Sequence, residues 1–220
     1  MTISVGIFVF DEVEVLDFAG PYEVFTTASR VSCRDDVSSP IPFNVFTIAK
    51  DKNIIRTRAG LKVQADYTIY NHPPIDLLLV PGGVVAGELA EPTVSDWISS
   101  SLSPRPKLIA SVCTGAFFLA KSGLLDGKFA TTHWEDVAQM RAMFPSVTVL
   151  EGQRWVDEGS IVTSAGISAG LDMSLYLVER LAGRELSVRT ARQMDYHWHE
   201  NSQPVAAADS QGRGNSDRIK

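Results

Sequence analysis

Cys113 stands in "LIASVCTGAFFLAKSGLL" (108–125), between a short apolar run and a segment of helical period. The residues around it, Ser111-Val112-Cys113-Thr114-Gly115, follow a small–x–nucleophile–x–Gly pattern. That is the layout of a nucleophile elbow, a sharp strand-to-helix turn that thrusts one side chain outward. Small residues two places before and after the cysteine would let strand and helix approach closely. The turn would also set the thiol at a helix N-terminus, where the positive end of the dipole favours thiolate. Thiolate is the attacking form of cysteine, so the chemistry on offer is covalent catalysis. The competing reading is a buried structural cysteine, because free Cys is among the most buried residue types.

A thiol nucleophile needs a proton partner and donors for developing charge. Asp17, in "EVEVLDFAGPYEVF", stands just before an expected helix start, with Glu23 inside that helix. Asp17 reads either as an N-cap or as a carboxyl that shares a proton with the thiol. In "VPGG", Gly82 and Gly83 permit a backbone N–H to point at a reacting atom, as an oxyanion hole requires, although a plain turn explains them too. Thr114 N–H, next after the cysteine, would be the second donor. The glycines and small residues of "TSAGISAG" (163–170), Gly166 and Ile167 among them, either bring backbone against the thiolate or cap the next helix. His133, in "ATTHWED", suits a Cys–His dyad or an ordinary hydrogen-bonded histidine at a strand end. Trp134 beside it is packing or pocket wall. Cys33 has neither elbow nor base nearby.

The elements that must position these residues alternate. Strands are expected at 3–10, 43–50, 61–69, 76–80 and 107–112, with a hairpin over 153–166 turning at Asp157-Glu158-Gly159. Helices are expected at 19–31 with Pro21 in the first turn, at 92–102, from Thr114 to about Gly123, at 135–144, at 168–183 with Ser168 as N-cap, and at roughly 187–199. Strands alternating with helices imply an α/β fold, a flavodoxin-like three-layer sandwich whose mostly parallel sheet has helices on both faces. Ligands in such sheets sit beyond the carboxyl ends of the strands, which singles out the four loops carrying the residues above. Residues 1–200 read as one domain, and 201–220, polar and aperiodic, as a disordered tail.

Composition narrows the function. The 220 residues are 45% hydrophobic, ample for a core, and the net charge of −6 has no basic stripe, so a nucleic-acid partner is not expected. The N-terminus lacks a positively charged region, and its apolar run breaks at Asp11, so it reads as a strand and not as a signal peptide. No apolar segment approaches membrane-span length. Two cysteines in unlike settings make no disulfide framework and fit a reducing cytoplasm. No C-x-x-C is present, and "HWHE" (197–200) is a short cluster without distant partners, so no metal is expected.

"DLLLVPGG", "LIASVCTGAFFLAKSGLLDGKFATTHW" and "TSAGISAGLDMSL", in that order, resemble the DJ-1/PfpI superfamily, part of the class I glutamine-amidotransferase-like fold. Within it the likeness is to isonitrile hydratases, also called cyclohexyl-isocyanide hydratases. It rests on Asp17 in "LDFAGPYEVF", on Thr114 in "SVCTG" and on "AGISAGLD". PfpI-like proteases carry a histidine where Thr114 stands, and the late His-x-Glu of glutamine amidotransferases is not matched by "YHWHE". The domain is also similar to the N-terminal part of AraC-type regulators. The chain ends in its polar tail about where their helix-turn-helix would begin, so a stand-alone enzyme or a lost DNA-binding part is expected. Where the hydratases usually show a run of glycines, this chain has Ser164-Ala165-Gly166.

The resemblance implies addition of water to an organic isocyanide through a covalent cysteine thioimidate. Cys113 would be the nucleophile and Asp17 the acid and base, with Thr114 orienting Asp17 or water by its hydroxyl. Backbone N–H groups of Thr114, Gly83 or Ile167 would steady the polarised sulfur or nitrogen, with Gly166 and His133 also in the substrate-binding set. It implies no cofactor, a small-molecule substrate and a homodimer. The alternatives are a redox or ligand sensor and a glyoxalase- or amidase-like cysteine hydrolase.

Overall fold

Burial on both faces decides the central strands. "SVGIF", "LLLV" and "LIASV" are apolar runs too short for a helix, and in the computed structural model they lie side by side. The structure describes residues 1–34, 40–102 and 104–201. The expected polar tail therefore lies, apart from Asn201, outside the described residues.

The chain runs β1 (Ile3–Phe8), α1 (Val15–Ser32), β2 (Phe43–Ala49), β3 (Ile55–Arg56), β4 (Lys62–Val63), β5 (Tyr67–Thr68), β6 (Leu77–Val80), α2 (Ala86–Ala90) and α3 (Pro92–Asp96). It continues through a π-helical turn (Trp97–Ser101), β7 (Leu108–Val112), a 3-10 turn (Cys113–Gly115), α4 (Ala116–Lys121), β8 (Phe129–Ala130), a second 3-10 turn (Trp134–Asp136) and α5 (Val137–Met143). Last come β9 (Thr148–Val149), β10 (Trp155–Asp157), β11 (Ile161–Ser164), α6 (Ala169–Ala182) and α7 (Arg184–Gln193).

One seven-stranded sheet has the order β10-β11-β7-β6-β1-β2-β5, parallel except where β10 returns against β11. The order runs outward from β1 in both directions, β2 to one side and β6 to the other. The crevice between the carboxyl ends of β1 and β6 is thus a topological switch point, the usual ligand position in such sheets. Helices α1, α6 and α7 pack together, and α2, α3 and α4 form a second group, giving the expected three layers. Phe8, Phe10 and Phe118 meet in the core with centroids 5.4 to 6.1 Å apart, pinning α4 to the sheet.

Several boundaries differ from expectation. α1 begins at Val15, four residues before the expected start, so Pro21 lies inside it and deprives the Asp17 carbonyl of its helical N–H. Expected strand 61–69 divides into β4 and β5, with β4 pairing locally on β3 and β5 joining the main sheet. The expected helix 92–102 turns from α to π geometry after Asp96. Ser168 stands at the N-cap of α6 but in helical backbone geometry, and its side chain caps nothing. α7 occupies 184–193 and not 187–199, and Trp198 is instead held by its indole N–H to the Asp172 carbonyl at 3.2 Å. No helix among the described residues is long and apolar enough to cross a membrane.

Candidate active site

Where β7 ends, the backbone bends sharply. Cys113 has φ +57°, a left-handed conformation that a non-glycine side chain rarely adopts. Such strain persists where the surroundings over-determine it. Here the surroundings are glycines. A Cβ at Gly115 would lie 2.1 Å from the Val80 carbonyl oxygen, and one at Gly82 would lie 2.6 Å from Thr114 N. The close approach expected from the small–x–Cys–x–Gly spacing is therefore real, and it draws the β6 loop onto the elbow.

Asp17 is no N-cap. Glu14 takes that position, and Asp17 sits in the first turn of α1, fully buried. The Gly82 N–H donates to its Oδ2 at 3.1 Å, whereas Oδ1 has no regular hydrogen-bond partner among the described residues. Burial pushes the carboxyl up to about 7; the Gly82 N–H pulls it down, the Glu14 charge adds to the rise, and the adjacent Cys113 thiol lowers it slightly. Glu23 faces solvent, bonded to Arg30 at 2.8 Å.

Burial works against the thiolate that the helix dipole would favour. Cys113 is 7% exposed, and burial pushes it well above the ordinary cysteine range, with the Asp17 charge adding to the rise. The Thr114 N–H pulls it back and Asp136 pushes it up further. Thiol and carboxyl are better treated as a pair that holds one proton between them.

Thr114 and Gly83 are bonded to each other. The Thr114 hydroxyl donates to the Gly83 carbonyl at 2.9 Å and accepts the Gly83 N–H at 2.9 Å. Two expectations change as a result. Gly83 N–H is not free to steady a reacting atom, and the Thr114 hydroxyl is not aimed at Asp17. The Thr114 N–H lies near enough to the sulfur to favour its charged form. Gly83 itself must be glycine, since it has φ +148° and a Cβ there would lie 2.3 Å from the Glu12 carbonyl oxygen.

Cys113 opens into a cleft of about 230 Å3 lined by Gly83, Thr114, His133, Ile167, Glu14, Arg58 and Asp136, among others. Ile167 is held at φ +48°. Gly166 lies directly against the histidine, where a Cβ would come 2.0 Å from His133 Cδ2. The fourth loop therefore supports the His133 ring and walls the cleft, and it does not cap α6 by a side chain. His133 caps the second 3-10 turn, accepting the Glu135 N–H at 3.4 Å, with Nδ1 3.6 Å from Asp136 Oδ2. Trp134, 76% exposed, lies beside His133 with ring centroids 5.7 Å apart. Past Gly83, Thr114 and Asp136 the cleft adjoins a groove of about 430 Å3 walled by Leu89, Phe117 and Met143.

Asp136 was not foreseen. In "THWED" it reads as an acidic residue opening a helix, and only its three-residue spacing from His133 hinted at a pair. Arg58 and Glu14, 3.6 Å apart at the mouth, gave no local signal, because Arg58 comes from the loop joining β3 to β4. Among the described residues, no group of three or more His, Cys, Asp or Glu side chains could hold a metal ion.

A three-layer α/β sandwich with a strained cysteine at the bend after a central strand, set over a buried carboxyl, is the class that fold and site define. The chain belongs to the DJ-1/PfpI family, whose sequence model matches residues 3–180. It is 30% identical over 197 residues to the isonitrile hydratase of Pseudomonas putida, covering 89% of this chain and 79% of that protein. It is 29% identical over 201 residues to the HTH-type transcriptional regulator GbdR of Pseudomonas aeruginosa, covering 91% of this chain but 52% of the regulator, about half its length. A THiJ/PfpI family protein from Pseudomonas syringae superposes with a TM-score of 0.77 at 24% identity, covering 96% of this chain and 80% of that one. Drosophila melanogaster DJ-1beta does so with a TM-score of 0.73 at 19% identity, covering 90% and 100%. Both structures speak for the fold alone.

Proposed function

We propose that the protein adds water to an organic isocyanide, R–N≡C, and releases an N-substituted formamide. The observation that carries this reading is the buried Asp17 carboxyl, held by Gly82 beside the elbow cysteine and pushed up to about 7 by burial. An isocyanide carbon accepts a nucleophile and a proton at one atom. A thiol and a carboxyl sharing one proton are matched to that demand. The Cys113 sulfur bonds to the terminal carbon as Asp17 passes the shared proton to it, giving a thioimidate. Asp17, now ionised, takes a proton from the water that attacks the same carbon, and the C–S bond then breaks. Thr114 supplies its N–H to the sulfur, while its hydroxyl fastens the β6 loop through Gly83. His133 and Ile167 wall the substrate cleft, and Gly166 packs behind the His133 ring.

The similarity to an isonitrile hydratase supports this reading, and the similarity to GbdR supports a second, a ligand-sensing domain without turnover. The two separate by assay. Incubation with cyclohexyl isocyanide gives the formamide if the first is right and leaves the isocyanide unchanged if the second is. Methylglyoxal in parallel tests the glyoxalase-like hydrolase, which would consume it and spare the isocyanide. With the first reading go a single catalytic domain over 1–200, a cytoplasmic homodimer and no nucleic-acid partner.

A further inference from the structure

Turning R–N≡C into R–NH–CHO places one proton on carbon and another on nitrogen. Resting on the isocyanide reading above, Asp17 serves the carbon from beneath Cys113. The nitrogen needs a second acid, and the cleft wall carries one. Asp136 holds the N-cap position of α5, yet its side chain caps nothing. Its carboxyl, 30% exposed, stands in the cleft wall with Oδ2 3.6 Å from His133 Nδ1, and both residues line the cleft together with Cys113. It lies close enough for its charge to act on the thiol. The His133 ring has no room to swing back, because Gly166 is packed directly against it. Burial favours the protonated carboxyl, which His133 and, more weakly, Arg58 counter and Glu135 reinforces.

We propose that Asp136, steadied by His133, is the acid that protonates the substrate nitrogen as water adds to the thioimidate. The steps balance. Water bonds to the carbon of R–N=CH–S–Cys113, giving one proton to the Asp17 carboxylate. The C=N electron pair moves to nitrogen, which takes the Asp136 proton, so the intermediate is R–NH–CH(OH)–S–Cys113. The hydroxyl proton then returns to Asp136 as the C=O bond forms and the C–S bond breaks. Formamide leaves, and Asp17 and Cys113 again hold one proton between them. Asp136 touches the reacting atoms in this scheme, and His133 is a positioning residue.

The two protonations belong to different steps, which makes the assignment testable. Wild type, Asp136→Asn and Asp136→Glu are each incubated with cyclohexyl isocyanide, following formamide formation and the intact mass of the protein. Asp136→Asn should lose about 10²-fold in turnover, the lower range for a general acid. It should also accumulate an adduct on Cys113 whose added mass equals one isocyanide, because bond formation to sulfur is spared. Asp136→Glu should recover part of the turnover and show less adduct. An Asp136→Asn protein that turns over within about threefold of wild type, or loses turnover without the adduct, overturns the assignment and leaves the isocyanide reading standing. A wild type that makes no formamide overturns both.

Discussion

The Gly82 N–H reaches under the elbow and holds one oxygen of Asp17 at 3.1 Å, leaving the other oxygen of that buried carboxyl without a regular partner beside the Cys113 thiol. This arrangement predicts the pH dependence of adduct formation. Below about 7 both groups carry protons, and no base is present to take the thiol's as sulfur attacks. As pH rises through that value one proton leaves, and the pair reaches its working state. Formation of the Cys113 adduct with an alkyl isocyanide, the step before Asp136 gives up its proton, should therefore speed up with a midpoint near 7 and then level off, since burial and Asp17 hold the second proton far above. A profile flat across that region would contradict the pairing.

Stability should move the opposite way from activity when the carboxyl is neutralised. The folded pKa of Asp17 is raised from 3.8 to about 7, so its favourable contribution to folding is complete below 3.8 and is lost as pH rises through about 7. Above that point the folded state bears the cost of a buried charge. Asp17→Asn removes the cost while keeping an acceptor for the Gly82 N–H. Thermal melts should show the variant gaining on wild type as pH rises from about 4 to 7, by about 2–4 kcal/mol at the upper end, with turnover down at least ~10²-fold. A stability difference independent of pH would show that Asp17 is ionised in the fold throughout.

The contact between Gly166 and His133 predicts a coupled pair. Gly166→Ala places a Cβ 2.0 Å from His133 Cδ2, so ring or loop must move. Overpacking of this kind costs about 1–3 kcal/mol. His133→Ala removes the obstacle, and in the double variant the cost of Gly166→Ala should largely disappear. A double-mutant cycle from chemical denaturation reads this directly, and additive losses would show that the two residues do not press on each other.

How far the sequence led is clearest at the elbow. Cys113 with small residues on either side announces its turn locally, and the apolar runs before and after it place that turn at a sheet's carboxyl edge. The order of strands and helices was legible for the same reason: each depends on a period contained within its own segment. Asp17 was found, but its position was misjudged, because Pro21 suggested a later helix start than the packing of Val15 and Phe18 imposes. Asp136 and Arg58 escaped because their roles arise from long-range packing. The upward push on the Cys113 proton affinity was not legible either, since a helix-terminus argument takes no account of burial or of a carboxyl ninety-six positions away.

Thr114 gives a separate test of the β6 loop. Thr114→Val keeps the shape but leaves both the Gly83 N–H and its carbonyl without the hydroxyl that bridges them. Unfolding by denaturant should show a loss of about 1–3 kcal/mol. Thr114→Ser, which retains the hydroxyl, should lose less. If valine and serine variants are equally stable, the paired bonds do not hold the loop.

Turnover of cyclohexyl isocyanide by wild type beside Cys113→Ala, followed by disappearance of isocyanide and appearance of formamide, tests the covalent role of the elbow thiol most directly. The arrangement of Cys113 over Asp17 predicts steady formamide release by wild type and none above the uncatalysed rate by Cys113→Ala. Formamide release that survives loss of the sulfur, or an inert wild type, would contradict it.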